Sequence, residues 1–234
     1  MSGPFRWITF DCYGTLIDWE EGILKALEPL LSRAGRRPSP AELLALYGRL
    51  ESEAERTWRP YREVLRLVCQ EMAKALGVSL APQEEDLLVE SLPHWRPFPE
   101  VNEALESLKA MGFKLAIISN IDRDLLAATL RHLSVPFDLL VTAEEARCYK
   151  PHPAIFSLAA RKLAARPSEI LHVAQSLFHD ISPAREFGWK TCWVRRPERD
   201  PYGATPRASA EPDFVVSDLR EILKLVGSHE TARI

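Results

Sequence analysis

The strongest constraint on the fold is a break in rhythm. Short β-rich runs recur at 5–10 (FRWITF), 113–119 (FKLAIIS), 137–142 (FDLLVT), 169–174 (EILHVA), 189–194 (WKTCWV) and 213–216 (DFVV). Several are apolar throughout, as strands of a parallel sheet are when both faces are buried. From the second run onward, helical text separates them. Val101, Leu105 and Leu108 recur at helical spacing in 99–112, with Gly112 as the expected C-cap, and 122–133 and 151–164 read alike. Between the first and second runs, however, about 80 residues hold no convincing strand. Four amphipathic stretches fill them, with Gly35 and Gly77 expected to close two helices and Ser39 and Ala81-Pro82 to open two others. The expected architecture is α/β, a Rossmann-like parallel-sheet core of residues 1–16 and 98–234 with a four-helix domain, 17–97, inserted after the first strand. The segment 94–100 (HWRPFPE) is the linker back, and the Pro- and Arg-rich stretch 195–213 reads as a surface loop.

Composition narrows the functional classes. Of the 234 residues 46% are hydrophobic and 27% charged, which suits a folded globule rather than a disordered chain. The formal net charge of −3 gives no reason to expect a nucleic-acid or membrane-surface partner. No signal peptide is visible, and no run reaches the roughly 20 apolar residues of a membrane span. Cys12, Cys69, Cys148 and Cys192 are too far apart in sequence for a metal-binding pair. They read as reduced thiols of a cytoplasmic protein.

In parallel α/β sheets, ligands bind beyond the carboxyl ends of the strands. The first strand ends at Asp11 and the second at Ser119-Asn120. Lys150 follows the third, and Gln175-Ser176 and then Asp180 follow the fourth. Each has a structural reading, since Asp and Ser also cap helices and Lys is usually solvated. Four successive strand ends bearing groups suited to a charged substrate make one shared rim the better account.

Asp11 with Gly14-Thr15-Leu16, then Ser119, Lys150 in YKP, and Asp180 together resemble the motifs of the haloacid dehalogenase superfamily, in matching order along nearly the whole chain. The resemblance implies that Asp11 is a nucleophile and that the helical insertion is a cap domain. Two departures bear on the reaction. Phosphatases of the superfamily carry a second Asp two residues after the nucleophile; here that residue is Tyr13. Their fourth motif begins with an acidic residue; here it is Gln175. Mg²⁺ prefers carboxylate oxygens, and an alkoxide leaving group needs a general acid, so both changes point away from phosphoester hydrolysis.

The form DxYGTL resembles the metal-independent L-2-haloacid dehalogenases. It implies hydrolytic dehalogenation of a short halogenated carboxylic acid without metal or cofactor. Asp11 displaces halide from carbon, and water then hydrolyses the aspartyl ester. By this resemblance Thr15, Ser119, Lys150 and Asp180 join Asp11 in catalysis. Cys12, Tyr13, Asn120, Ser176 and His179 contact substrate or halide, and Arg49 is the cap arginine that holds the halide, with Arg59 and Arg62 as competitors. Trp19, Trp58 and Tyr61 are expected as pocket walls. A homodimer is also implied. A Mg²⁺-dependent phosphatase, and a binding protein with a drifted site, are the competing readings.

Overall fold

The computed structural model describes residues 5–35, 37–200 and 204–228. In chain order, β1 (Trp7–Phe10) is followed by α1 (Trp19–Leu31), α2 (Pro40–Ala54), α3 (Tyr61–Leu76) and α4 (Leu87–Ser91). Then come α5 (Val101–Ala110), β2 (Lys114–Ser119), α6 (Arg123–Thr129), β3 (Leu139–Thr142), α7 (Ala143–Ala146) and α8 (Pro153–Leu163). After β4 (Ile170–Ala174), a π-helical turn at Leu177–Ile181 leads into α9 (Ser182–Glu186), β5 (Lys190–Val194), β6 (Phe214–Val216) and α10 (Leu219–Ser228).

The strands form one parallel sheet in the order β3-β2-β1-β4-β5-β6. All four residues of β1 are buried, and so are all five of β4, as a central parallel strand covered on both faces requires. The chain runs outward from β1 to β2 and β3, then returns across β1 to β4. Strand order therefore reverses at β1, and a crevice opens at its carboxyl end.

The insertion is helical as expected, with differences in detail. Ser39 caps α2 and forms a capping box with Glu42. Gly77 closes α3 in the left-handed conformation. Gly35 closes nothing, because α1 already ends at Leu31 with Ser32 as its cap. The fourth stretch is not one continuous helix: a 3₁₀ turn at Pro82–Glu84 precedes the five-residue α4, and another at Leu92–His94 follows it. The two crossing points lie side by side. Asp18 N–H donates to the Arg96 carbonyl (2.8 Å) and Phe98 N–H to the Leu16 carbonyl (3.0 Å), with Ile17 bridged to Pro97. Entry and exit thus share one short antiparallel pair.

Within the insertion, Ile23, Leu27 and Leu30 of α1 meet Val64, Val68 and Met72 of α3 in the same apolar cluster as Phe10 and Leu115 of the sheet. A close backbone approach ties α2 to the stretch after β5. A Cβ at Gly48 would stand 1.9 Å from the Ala204 carbonyl oxygen. Among the described residues no helix is long and apolar enough to cross a membrane.

Gly48→Ala must displace backbone rather than a mobile side-chain tip. It should lower unfolding stability by about 1–3 kcal/mol, read as a fall in the urea midpoint at unchanged m-value.

Candidate active site

Asp11 stands one residue past β1, its N–H still donating to the Val173 carbonyl of β4 (3.1 Å). The turn that follows needs Gly14, whose φ of +94° side chains rarely adopt. That turn brings the Thr15 hydroxyl back to donate to Asp11 Oδ2 (2.8 Å), while Thr15 Oγ1 accepts from the Gln175 N–H (3.0 Å). One hydroxyl therefore joins the ends of β1 and β4 at the carboxylate.

Lys150 is 2% exposed, and all three of its ammonium donors are used. They reach Asp11 Oδ1 (2.9 Å), Asp180 Oδ1 (2.7 Å) and the Ile118 carbonyl (2.9 Å). Asn120 clamps the backbone of the same lysine at both ends, accepting its N–H (2.6 Å) and donating to its carbonyl (3.2 Å). Its amide thus positions Lys150, a different use from the substrate contact expected of it. Asp180 also accepts from His172 Nε2 (2.9 Å), whose Nδ1 meets the Thr9 hydroxyl (2.8 Å). A carboxylate only accepts, so Nε2 carries the proton.

Burial raises the Asp11 carboxyl above its usual range, and Lys150 and Thr15 pull against it toward the carboxylate. Burial also acts to raise Asp180, but Lys150 and His172 outweigh it and hold that group low. Burial would lower Lys150, and the two carboxylates more than offset it. His179 is pushed down to about 4, chiefly by burial, so its ring is neutral near pH 7.

Tyr13, Ser119, Asn120, Ser176 and His179 line one pocket with Asp11, Lys150 and Asp180, a cavity of about 50 Å³. The Tyr13 hydroxyl is occupied by Thr129 (2.7 Å), so its ring serves as wall. Ser176 accepts from the His179 N–H (3.0 Å). Ser119 Oγ is buried with no hydrogen-bond partner. Trp19 and Tyr61 are walls as expected, whereas Trp58 lines an adjoining outer cleft.

Two expectations fail. The Cys12 side chain is fully buried in the apolar core and is no part of the pocket lining, because alternate residues leaving a strand face opposite ways. Arg49 is exposed and lines a separate cleft near Thr205. It lies two residues from both Tyr47 and Glu51, on the opposite side of α2. Neither competitor replaces it: Arg62 pairs with Asp124, Arg59 Nε turns to the Thr57 carbonyl (3.4 Å), and among the described residues no arginine lines the pocket.

The sequence reading missed three groups. His172 showed as a lone polar residue in EILHVA. Glu51 and Glu55, which line the pocket from the insertion, were legible as a Tyr47–Glu51–Glu55 series at four-residue spacing.

The model of the haloacid dehalogenase-like hydrolase family matches residues 5–188, and the chain belongs to that family. It is 30% identical to an (S)-2-haloacid dehalogenase of Pseudomonas sp. (strain YL), over 93% of each chain. It is also 30% identical to haloacetate dehalogenase H-2 of Moraxella sp. (strain B), over 94% of this chain and 96% of that one. Its fold matches the solved L-2-haloacid dehalogenase of Xanthobacter autotrophicus at a TM-score of 0.81, with 23% identity, over 95% and 98% of the two chains.

Lys150→Met leaves two buried carboxylates without their cation and should cost about 3–5 kcal/mol near neutrality. Asp180 is depressed in the native protein, so its contribution is present above the unfolded value and lost as pH falls through the folded one. In the variant the carboxyls bind protons more readily, so the deficit should narrow toward acid in urea titrations across pH. His179 acts in the same direction as Asp180. Its folded value of about 4 lies below the ordinary imidazole value of about 6.5, so folding favours the neutral ring and its contribution falls as pH drops through that window. His179→Gln should flatten the acid-side loss of stability between those values.

Proposed function

We propose that this protein hydrolyses the carbon–halogen bond of short 2-haloalkanoic acids, with Asp11 as nucleophile. The observation that carries the reading is the setting of Asp11. It is a carboxylate at the strand-order reversal, held by Thr15 and Lys150, with Tyr13 and Gln175 where a metal-dependent phosphatase would need carboxylates. The relatives' dehalogenase names support it.

An Asp11 oxygen attacks the halogen-bearing carbon from the side opposite the halogen. The C–O bond forms as the C–halogen bond breaks, the halide leaves with the electron pair, and the stereocentre inverts. Halide is a stable anion and requires no general acid. Water then adds to the ester carbonyl of Asp11. Asp180, fixed by Lys150 and His172, orients that water, and the 2-hydroxy acid departs with an oxygen that began on Asp11. Ser119 Oγ, buried and unpartnered, is a hydrogen-bond donor for substrate. Lys150 orients Asp11 and balances its charge beside Asp180.

In the same reading residues 17–97 act as a cap that closes over the nucleophile, hinged at the paired Leu16–Asp18 and Arg96–Phe98 crossing. Four free thiols, Cys12, Cys69, Cys148 and Cys192, fit a cytoplasmic setting.

Wild-type protein given (S)-2-chloropropionate in EDTA should release chloride and form (R)-lactate, and Asp11→Asn should abolish both. In H₂¹⁸O, repeated turnover should place ¹⁸O in the Asp11 carboxylate, read by peptide mass spectrometry. Chloride release without label there would overturn the covalent route.

A further inference from the structure

The pocket wall opposite Asp11 has an unexpected charge. Tyr47, Glu51 and Glu55 follow one another at four-residue intervals along α2 and its C-cap, so one face of the insertion presents two carboxyl groups to the site. Glu51 is built in: its Oε1 accepts from the hydroxyls of Tyr47 (3.2 Å) and Tyr61 (2.5 Å), both from buried residues. The pocket thus holds four carboxyl groups, Asp11, Asp180, Glu51 and Glu55, against one cation, Lys150, whose three donors are already taken. Among the described residues, the other ionisable groups around the pair are His179, with its neutral ring, and the Tyr13, Tyr61 and Tyr149 phenols, while Arg56, Arg147, Cys148 and His152 stand in the outer cleft that Glu55 also borders. Ser119 Oγ, buried and unpartnered on the core side, marks a place where a ligand atom completes the site.

Among the described residues, a haloacid anion entering here meets no pocket cation that is free to receive it. We propose that Glu51 and Glu55 set the charge specificity of the site. They disfavour the haloacid anion while ionised, and favour a substrate of the same shape whose carboxylate is replaced by an uncharged hydrogen-bond-donating group, a 2-haloamide. The proposal rests on Asp11 attacking the halogen-bearing carbon. The bonds are those already described: chloroacetamide plus water gives glycolamide, chloride and a proton. The carboxyl groups accept from the amide N–H where a carboxylate would be repelled. Burial pushes Glu51 up to about 7, and burial together with Glu51 raises Glu55 well above its usual range. The Glu51 shift places a proton on the wall in mild acid and removes it as pH rises. The haloacid anion is then admitted on the acid side and excluded on the alkaline side, while the amide is indifferent.

The test is the ratio of kcat/KM for chloroacetamide to that for chloroacetate, both uniform in charge across the range. It should rise at least about tenfold from roughly pH 5.5 to 8.5 in the wild type, and stay level in Glu51→Gln/Glu55→Gln. Glu55→Gln alone, at the helix end, should remove part of the rise and covers a poorly folded double variant. A level ratio in the wild type, or an undiminished rise in folded variants, overturns the proposal. If neither compound yields chloride, the dehalogenase reading fails, and the wall is judged by calorimetric binding of glycolamide and glycolate. Glycolate binding that weakens toward alkaline pH, with glycolamide constant, upholds it; equal pH response of the two overturns it.

Discussion

The buried ammonium of Lys150 organises the centre of this protein. A cation with almost no exposure survives only where every donor is satisfied and its charge is balanced. Here Asp11 comes from the end of β1, Asp180 from the turn after β4, and the third acceptor is the Ile118 carbonyl of β2. Three strands and the loop after β3 are thereby fastened at one point. The supporting contacts follow from that need. Asn120 fixes the lysine's backbone, His172 and Thr9 brace Asp180 from inside the sheet, and Thr15 holds the free oxygen of Asp11. The same contacts that make the cluster tolerable in the core leave Asp11 oriented toward the pocket, so stability and chemistry draw on one set of bonds.

Around this fixed point the molecule divides into a rigid floor and a helical wall. The floor is the carboxyl edge of a parallel sheet, where side chains are held by ladder geometry and burial on both faces. The wall is reached through paired crossings at Ile17 and Pro97 and seats against the core at Gly48 and Ala204. The floor supplies Asp11, Lys150 and Asp180 to the pocket; the wall supplies its aromatic and acidic surroundings. The family match runs through both floor and wall, and among the described residues no arginine from the wall lines the pocket.

The sequence was more legible for the floor than for the wall. The strand runs and their polar ends named Asp11, Ser119, Lys150 and Asp180, because a strand that stops at a sheet edge has only one place to put its next residue. His172 was overlooked since a histidine inside an apolar strand reads as core, and its bond to Asp180 spans eight residues through a turn. The resemblance implies a cap arginine and puts it near Arg49 by position in the sequence alone. Which way a helical side chain faces depends on phase, and a two-residue error turns it about 200°. Glu51 and Glu55 occupied the face that the arginine was expected to hold.

The sequence alone therefore determined the α/β rhythm, the insertion after the first strand, the standing of Asp11, Ser119, Lys150 and Asp180 at strand ends, and the absence of a second carboxylate at Tyr13. These are local or register-bound properties, fixed by the alternation of apolar runs and by which residue follows a strand. Only the tertiary structure decided that Cys12 turns into the core, that Asn120 serves Lys150, and that the facing wall is acidic rather than basic. Those outcomes depend on how a helix is rotated and seated against a sheet far from it in sequence. Packing of the whole surface sets that rotation, and no short stretch of residues carries it.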